Sequence, residues 1–365
     1  MQGEMGSEDK GILHIVVAMS GGVDSSTVAA LLVEQGYQVT GMMLRLWSEE
    51  GKECSNRCCT PDSVFAARRI AAMLGIPFYV IDAQQLFYEQ IVNYFINGYK
   101  SGETPNPCIL CNQSIRWGFL LNHALSIGAD AFATGHYARL MKDPEGNIHL
   151  LKGLDKAKDQ SYVLSMLSKT QLQKTLLPLG EMEKSEVRQH ARRFNLPVAE
   201  KHDSQDLCFL GDKDYRDFLT KYAPECLRPG KITTLDGRKI GDHEGLAAYT
   251  IGQRKGIRIA DIDPYYVIDK EFNSNTLIVG KKFQLGKKEI MIRNFHWIND
   301  VNVDKDFIAE VMVRYRANLY PAYIQKLDNN DVQIHFDNPV RDITAGQLAV
   351  VYQGDEVLGG GFIQK

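Results

Sequence analysis

The sequence predicts an α/β protein: a doubly wound parallel sheet, followed by a small central domain and a C-terminal antiparallel β-barrel. Three observations predict it. Strand-like and helix-like segments alternate through the first two hundred residues, as parallel strands joined by crossover helices require. A glycine-rich turn, Ser20-Gly21-Gly22-Val23-Asp24-Ser25-Ser26, joins the first apolar run to the first helix. Beyond Pro224 and Pro229-Gly230, short alternating runs replace the helical pattern, punctuated by Gly237, Gly241, Gly245, Gly252 and Gly256.

The elements follow in order. Ile12 to Met19 is an apolar run that predicts a buried strand, and Thr27 to Leu32 predicts a helix. Tyr37 to Leu44 is a second strand. Pro61 to Leu74 is a helix, with Pro61-Asp62 near its start and Gly75 as its stop. Pro77 to Asp82 is a third strand, and Leu86 to Lys100 a helix. Ala131 to Tyr137 is a strand running into the turn at Gly135. Lys184 to Asn195 is a short helix between Pro178 and Pro197. Runs such as Ile308 to Val313 predict the barrel. Domain boundaries fall near residues 215 and 285, giving 1–215, 216–285 and 286–365. Ligands are expected at the carboxyl ends of the parallel strands, where the turns at Ser20 and Gly135 both lie.

Composition bounds the function classes. With 24% charged and 44% apolar residues, the chain reads as a soluble globular protein. A net charge of -3 excludes a surface coated in basic residues but leaves room for local patches that bind nucleic acid. The polar first ten residues form no signal peptide, and no apolar run reaches membrane-spanning length, so a cytoplasmic location is expected. Seven cysteines in such a chain read as buried thiols, metal ligands or reactive groups rather than structural disulfides.

The turn at Ser20 to Ser26 has the chemistry of a phosphate cradle. Strand-to-helix turns point backbone N–H groups and the positive end of the helix dipole at one spot. Two glycines let the backbone approach an anion closely. The turn lacks the lysine of a Walker A loop and the spacing of a dinucleotide fingerprint or a nucleophile elbow. SGGVDSS resembles the PP-loop of ATP pyrophosphatases, which split ATP between the α- and β-phosphates and adenylylate a substrate oxygen.

Four further stretches carry chemistry: Thr104-Pro105-Asn106-Pro107-Cys108-Ile109-Leu110-Cys111-Asn112, Lys158 to Tyr162, Asp203 to Leu210, and Tyr249 to Gly256. In the first, prolines are expected to stiffen a loop that ends in two cysteines. Together with SGGVDSS and Gly135-His136-Tyr137, the set closely resembles the tRNA-specific 2-thiouridylase family over nearly the whole chain. That resemblance implies ATP-dependent thiolation of C2 of the wobble uridine (U34) in tRNAs for Lys, Glu and Gln. It implies a sulfur-donor partner, a cysteine desulfurase or a sulfur relay protein, and ATP with Mg2+ as counterion.

The resemblance also implies roles. Cys208 carries a persulfide and Cys111 is its partner nucleophile. Ala18, Met19, Ser20, Gly21, Gly22, Val23, Asp24 and Ser25 hold ATP, aided by Leu44 near the adenine and by Gly135. Asn106, Pro107 and Cys108 line the flipped target base. His136, Lys158, Asp159, Gln160, Arg314, Tyr315 and Gln347 contact tRNA. The basic run Arg254-Lys255-Gly256-Ile257-Arg258 is expected to contact tRNA or the donor protein.

Cys108 departs from the family, many of whose members have an aspartate there as an acid or base. A thiol has a much higher reference pKa and does not replace a carboxylate one for one. It opens a second expectation: Cys108, Cys111 and Cys208 as three ligands of a [4Fe-4S] cluster with one open iron, as related thiolases use. Cys54, Cys58 and Cys59 offer no regular zinc spacing and read as non-catalytic thiols, with metal binding alongside Cys108 and Cys111 or a sulfur relay as the alternatives. Cys226 and Trp117 read as structural, and His14 as a core or edge histidine. Two rivals stand beside thiolation. Another PP-loop ATP pyrophosphatase would not need Cys111 and Cys208. A non-catalytic tRNA or sulfur-carrier binder would not need the cradle.

Overall fold

The computed structural model describes residues 12–49, 60–202, 207–211, 214–299, 306–341 and 343–364. Its first sheet is built from β1 (His14–Ala18), β2 (Gln38–Arg45), β3 (Phe78–Asp82) and β4 (Ala131–Ala133). A hairpin, β5 (Ala138–Lys142) and β6 (Ile148–Lys152), then leaves the sheet before β7 (Thr175–Leu176) rejoins it. The strands lie parallel in the order β3-β2-β1-β4-β7.

Both faces of this sheet are covered, which is why β1 reads as an unbroken apolar run. Ile15, Val16 and Val17 are all 0% exposed. Val16, with Met42 and Leu44, faces one core; Ile15 and Val17, with Val39 and Met43, face the other. Each such side chain contributes about 1.5–3 kcal/mol of burial energy.

Helix α1 (Val23–Glu34) covers the second face. Helix α2 (Pro61–Leu74) starts where the Thr60 hydroxyl accepts the Ser63 N–H at 3.0 Å and ends at Gly75, whose φ of 67° suits glycine. Residues 84–100 form one helical run with a wider π turn at Tyr88–Val92.

The stretch from Pro107 differs from the expected loop. It is helical: Pro107–Leu110 continues through a π-helical run, Cys111–Leu120, into Leu121–Ser126. Asn106 is extended at the N-cap and Pro107 takes the first helical position, where its missing N–H costs nothing and its fixed φ suits the helix. Only residues up to Asn106 behave as the prolines suggested. Strand β4 also stops at Ala133, so Gly135 to Tyr137 lie wholly in the loop beyond it.

The central part carries a four-stranded sheet of β8 (Gly230–Thr234), β9 (Lys239–His243), β10 (Tyr266–Glu271) and β11 (Thr276–Gly280), ordered β10-β11-β8-β9. The C-terminal part holds β12 (Lys287–Ile292), β13 (His296–Trp297), β14 (Phe307–Met312), β15 (Tyr320–Lys326), β16 (Val332–Val340), β17 (Leu348–Gln353) and β18 (Glu356–Phe362). Antiparallel pairing runs β12-β16-β15-β14-β17-β18, and a bridge between Ile292 and Ile363 closes the barrel. The β5–β6 hairpin adds to the edge of β18 through Leu150 opposite Val357. The N-terminal part thus shares a continuous sheet with the barrel. No described helix is long and apolar enough to cross a membrane.

Candidate active site

Strands β1 and β4 are neighbours, yet the chain leaves them toward opposite sides of the sheet. Their carboxyl ends therefore frame a crevice. Gly22 caps α1 with extended backbone, and the first N–H groups of α1 have no partners within the helix. Ser26 and Thr27 turn their hydroxyls back to the carbonyls of Gly22 and Val23, at 2.7 and 2.8 Å. Ser20 and Ser25 close the turn: the Ser20 N–H donates to Ser25 Oγ at 3.1 Å. Gly21 has φ of 67°, and a Cβ there would lie 2.4 Å from the Ser63 carbonyl oxygen. The Met19 and Val23 side chains are buried in the core, so these two can serve a ligand only through their backbones. Ala18 ends β1, and Leu44 is buried in the adjoining strand.

The loop after β4 forms the opposite wall. A Cβ on Gly135 would sit 2.9 Å from Ser25 N and 3.0 Å from Asp24 Cβ, so the wall touches the helix start. The Tyr137 hydroxyl donates to Asp24 Oδ1 at 2.8 Å. His136 packs on Trp117, with centroids 5.2 Å apart, and meets Thr134 Oγ1 at 2.8 Å through Nδ1. Burial, reinforced by the Arg116 guanidinium, pushes the His136 pKa down to about 3. Trp117 is a packing anchor, as expected: it is buried and its indole donates to Thr175 Oγ1 at 2.7 Å.

Two lysines that the motifs did not single out converge on the cradle. Lys184 Nζ bridges both Asp24 carboxylate oxygens at 2.6 and 2.8 Å. Lys201 Nζ donates to the Gly21 carbonyl at 3.0 Å. The available signal was weak: a lysine at the first position of a short helix, where the helix dipole disfavours a cation.

A second cluster forms where the Cys108–Cys111 helix meets the barrel. Cys108 is exposed, one helical turn before the buried Cys111. Pro107 is buried and Asn106 half-buried. Tyr315 donates its hydroxyl to the Asp159 carbonyl at 3.3 Å; burial raises its phenol, and the nearby Asp159 and Cys108 add to the rise. Arg314 beside it is exposed, and Lys158 is half-buried. Three expected tRNA contacts are engaged within the protein. The Asp159 carboxylate accepts from Gly153 N, Ser161 N and Ser161 Oγ. Gln160 Oε1 accepts the Tyr137 N–H at 3.0 Å. Gln347, only 7% exposed, donates to the Thr104 carbonyl at 2.7 Å.

Cys208 opens a short helical turn, Cys208–Leu210, and packs half-buried on the same core that holds Cys111. The expected three-thiolate cluster site does not fit. Among the described residues no three His, Cys, Asp or Glu side chains are grouped to hold a metal. Cys108 is exposed and Cys111 is buried. A magnesium ion fits better, because it takes one or two carboxylates plus phosphate oxygens, and Asp24 stands at the cradle. Residues 203–206 and Cys54, Cys58 and Cys59 lie outside the described residues. Cys226 is a buried thiol, and His14 bonds Thr40 within the sheet at 2.9 Å.

Fold and site define a PP-loop nucleotide-binding α/β domain joined to two β-rich domains. Three family models match: a tRNA methyl transferase HUP domain over residues 13–212, the same family's PRC-barrel domain over 216–281, and an aminomethyltransferase β-barrel domain over 287–363. The chain is 44% identical to the tRNA-specific 2-thiouridylase MnmA of Carboxydothermus hydrogenoformans, covering 96% of this chain and 97% of that one. It is 45% identical to its counterpart in Moorella thermoacetica, covering 96% and 99%. A U34-tRNA thiolase from Methanococcus maripaludis aligns at 19% identity with a TM-score of 0.36, over 59% of this chain and 67% of that one. The chain belongs to the tRNA-specific 2-thiouridylase family.

Proposed function

We propose that the protein is a tRNA-uridine 2-sulfurtransferase, exchanging the C2 oxygen of the wobble uridine (U34) for sulfur as ATP becomes AMP and pyrophosphate. The observation that carries this reading is the end-to-end match at 44% identity to a 2-thiouridylase. The cradle and the cysteines supply its chemistry. Residues 1–215 are the catalytic unit, 216–285 an adaptor, and 286–365 a tRNA-facing barrel.

The uracil C2 oxygen is a poor leaving group. It attacks the α-phosphorus of ATP, pyrophosphate leaves, and the oxygen becomes part of an AMP leaving group. Backbone N–H groups from Gly21 to Ser25 hold the phosphates, and Gly135 lets the opposite wall approach. Magnesium, held by Asp24, would neutralise phosphate charge.

Cys208 carries the sulfur as a persulfide. Its terminal sulfur attacks C2, and AMP departs with the former oxygen. The Cys111 thiolate then attacks the Cys208 sulfur, leaving C2=S and a Cys111–Cys208 disulfide, which an external thiol reduces. Cys108, Asn106 and Pro107 surround the extruded base, with Tyr315 and Arg314 on the barrel side. His136 and Lys158 contact the tRNA in this reading. The substrates are tRNAs for Lys, Glu and Gln, the donor is a cysteine desulfurase or a sulfur relay protein, and the enzyme works in the cytoplasm with them.

Mass analysis of wobble uridines from cells lacking the protein tests this. The 2-thio group is expected to disappear and to return with the wild-type gene but not with Cys111→Ser or Cys208→Ser. Retained 2-thiouridine in the deletion overturns the reading.

A further inference from the structure

We propose that Lys184 is the residue that takes the β- and γ-phosphates of ATP and holds the departing pyrophosphate; this rests on the nucleotide reading of the cradle. In the structure its ammonium bridges the two oxygens of Asp24 at 2.6 and 2.8 Å, and the Tyr137 hydroxyl bonds the same carboxylate at 2.8 Å. Neither partner's local setting calls for this pair. Asp24 is the second residue of α1, where the helix dipole already favours a carboxylate. Lys184 is the first residue of the helix Lys184–Arg193, where the dipole disfavours a cation.

The chain nevertheless holds Lys184 in place. The Asp155 carboxylate accepts the Lys184 backbone N–H at 3.0 Å, fixing the start of this helix over the cradle. The side chain is 12% exposed, so its charge is directed at the cradle rather than at bulk water. Lys201 donates to the Gly21 carbonyl from the other rim. One ammonium group therefore meets the Asp24 carboxylate and a second meets the Gly21 carbonyl of the same anion-binding turn.

This balance suits an exchange of partners. A carboxylate facing a triphosphate repels it unless a cation stands between them. Lysine is a compact point charge on a flexible four-carbon stem, and a rotamer change carries it from carboxylate to phosphate. Asp24 is then available to the metal that accompanies the nucleotide, while Lys184 compensates the charge that grows on the leaving pyrophosphate.

Calorimetric titration of the full-length protein with magnesium pyrophosphate and, separately, with AMP tests the assignment. Lys184→Gln is expected to weaken pyrophosphate binding by about tenfold or more and AMP binding by less than about threefold. Lys184→Arg is expected to recover part of the loss. Pyrophosphate binding by Lys184→Gln within about threefold of wild type overturns the proposal. So does an equal loss of both ligands together with a lowered melting temperature in both variants, which marks a purely structural pair. Wild-type protein that binds neither ligand overturns the nucleotide reading itself, and is distinguished because the failure precedes any substitution.

Discussion

Gln347 of the barrel donates its side-chain amide to the carbonyl oxygen of Thr104 at 2.7 Å. The Thr104 N–H returns a bond to the Ala345 carbonyl at 2.9 Å, so the barrel grips the loop that leads into the Cys108–Cys111 helix. Gln347→Ala leaves a carbonyl without its partner, at a cost of about 1–3 kcal/mol. The expected outcome is a lower melting temperature and a loss in kcat/KM for tRNA of about tenfold, equivalent to about 1.4 kcal/mol. ATP binding should hardly change, because Gln347 bonds the loop before Pro107 and not the turn at Ser20 to Ser26; calorimetry checks this.

The cradle tolerates no side chain at two glycines. Gly21→Ala forces a φ of 67° on alanine and drives its Cβ to 2.4 Å from the Ser63 carbonyl. Gly135→Ala meets the backbone of Ser25 at 2.9 Å. Both variants should lose ATP binding by about tenfold or more, with destabilisation of about 1–3 kcal/mol, read by calorimetry and thermal melting.

Two histidines should shape the pH dependence of stability in opposite directions. The pKa of His136 falls from 6.5 to about 3, chiefly through burial. Its contribution is present above pH 6.5 and is lost as pH falls toward 3, because the unfolded chain binds the proton first. His149 joins the β5–β6 hairpin to the barrel: Nδ1 meets Glu356 Oε1 at 2.6 Å and Nε2 meets Asp143 Oδ2 at 3.2 Å. The Glu356 bond, foremost, raises its pKa, so its contribution is present below 6.5 and is lost as pH rises through the raised value. Melting temperatures measured across pH should fall less on the alkaline side in His149→Gln than in wild type. Substituting His136 by Asn should flatten the acid side instead.

The cysteines should separate by role. Cys111→Ser and Cys208→Ser remove the two proposed nucleophiles and should lower thiolation by about a thousandfold or more. Cys108→Asp introduces the aspartate that the family resemblance implies at this position and should keep thiolation within about tenfold of wild type. Quantifying 2-thiouridine by mass analysis after a fixed reaction time checks all three.

Much of the fold was legible because local rules agreed with the tertiary result. Ile15 to Val17 read as a strand buried on both faces, and Pro61 and Gly75 mark the two ends of α2. The cradle was legible because its chemistry lies in seven consecutive residues, Ser20 to Ser26. The helix from Pro107 was not, because proline both stiffens loops and starts helices, and only its position decides. Lys184 and Lys201 were hidden because they reach Asp24 and Gly21 across 160 and 180 residues of chain. Gln347 was expected to contact tRNA from the family resemblance alone, and no local pattern reveals that its amide meets Thr104, 243 residues away.

The most direct test of the central claim is a single-turnover reaction of persulfide-loaded protein with ATP and unmodified tRNA, with AMP and 2-thiouridine counted together. The account predicts one AMP released for each 2-thiouridine formed, and neither product when ATP is replaced by an analogue that cannot be cleaved between the α- and β-phosphates. Thiolated uridine appearing without AMP, or with ADP in its place, would contradict it.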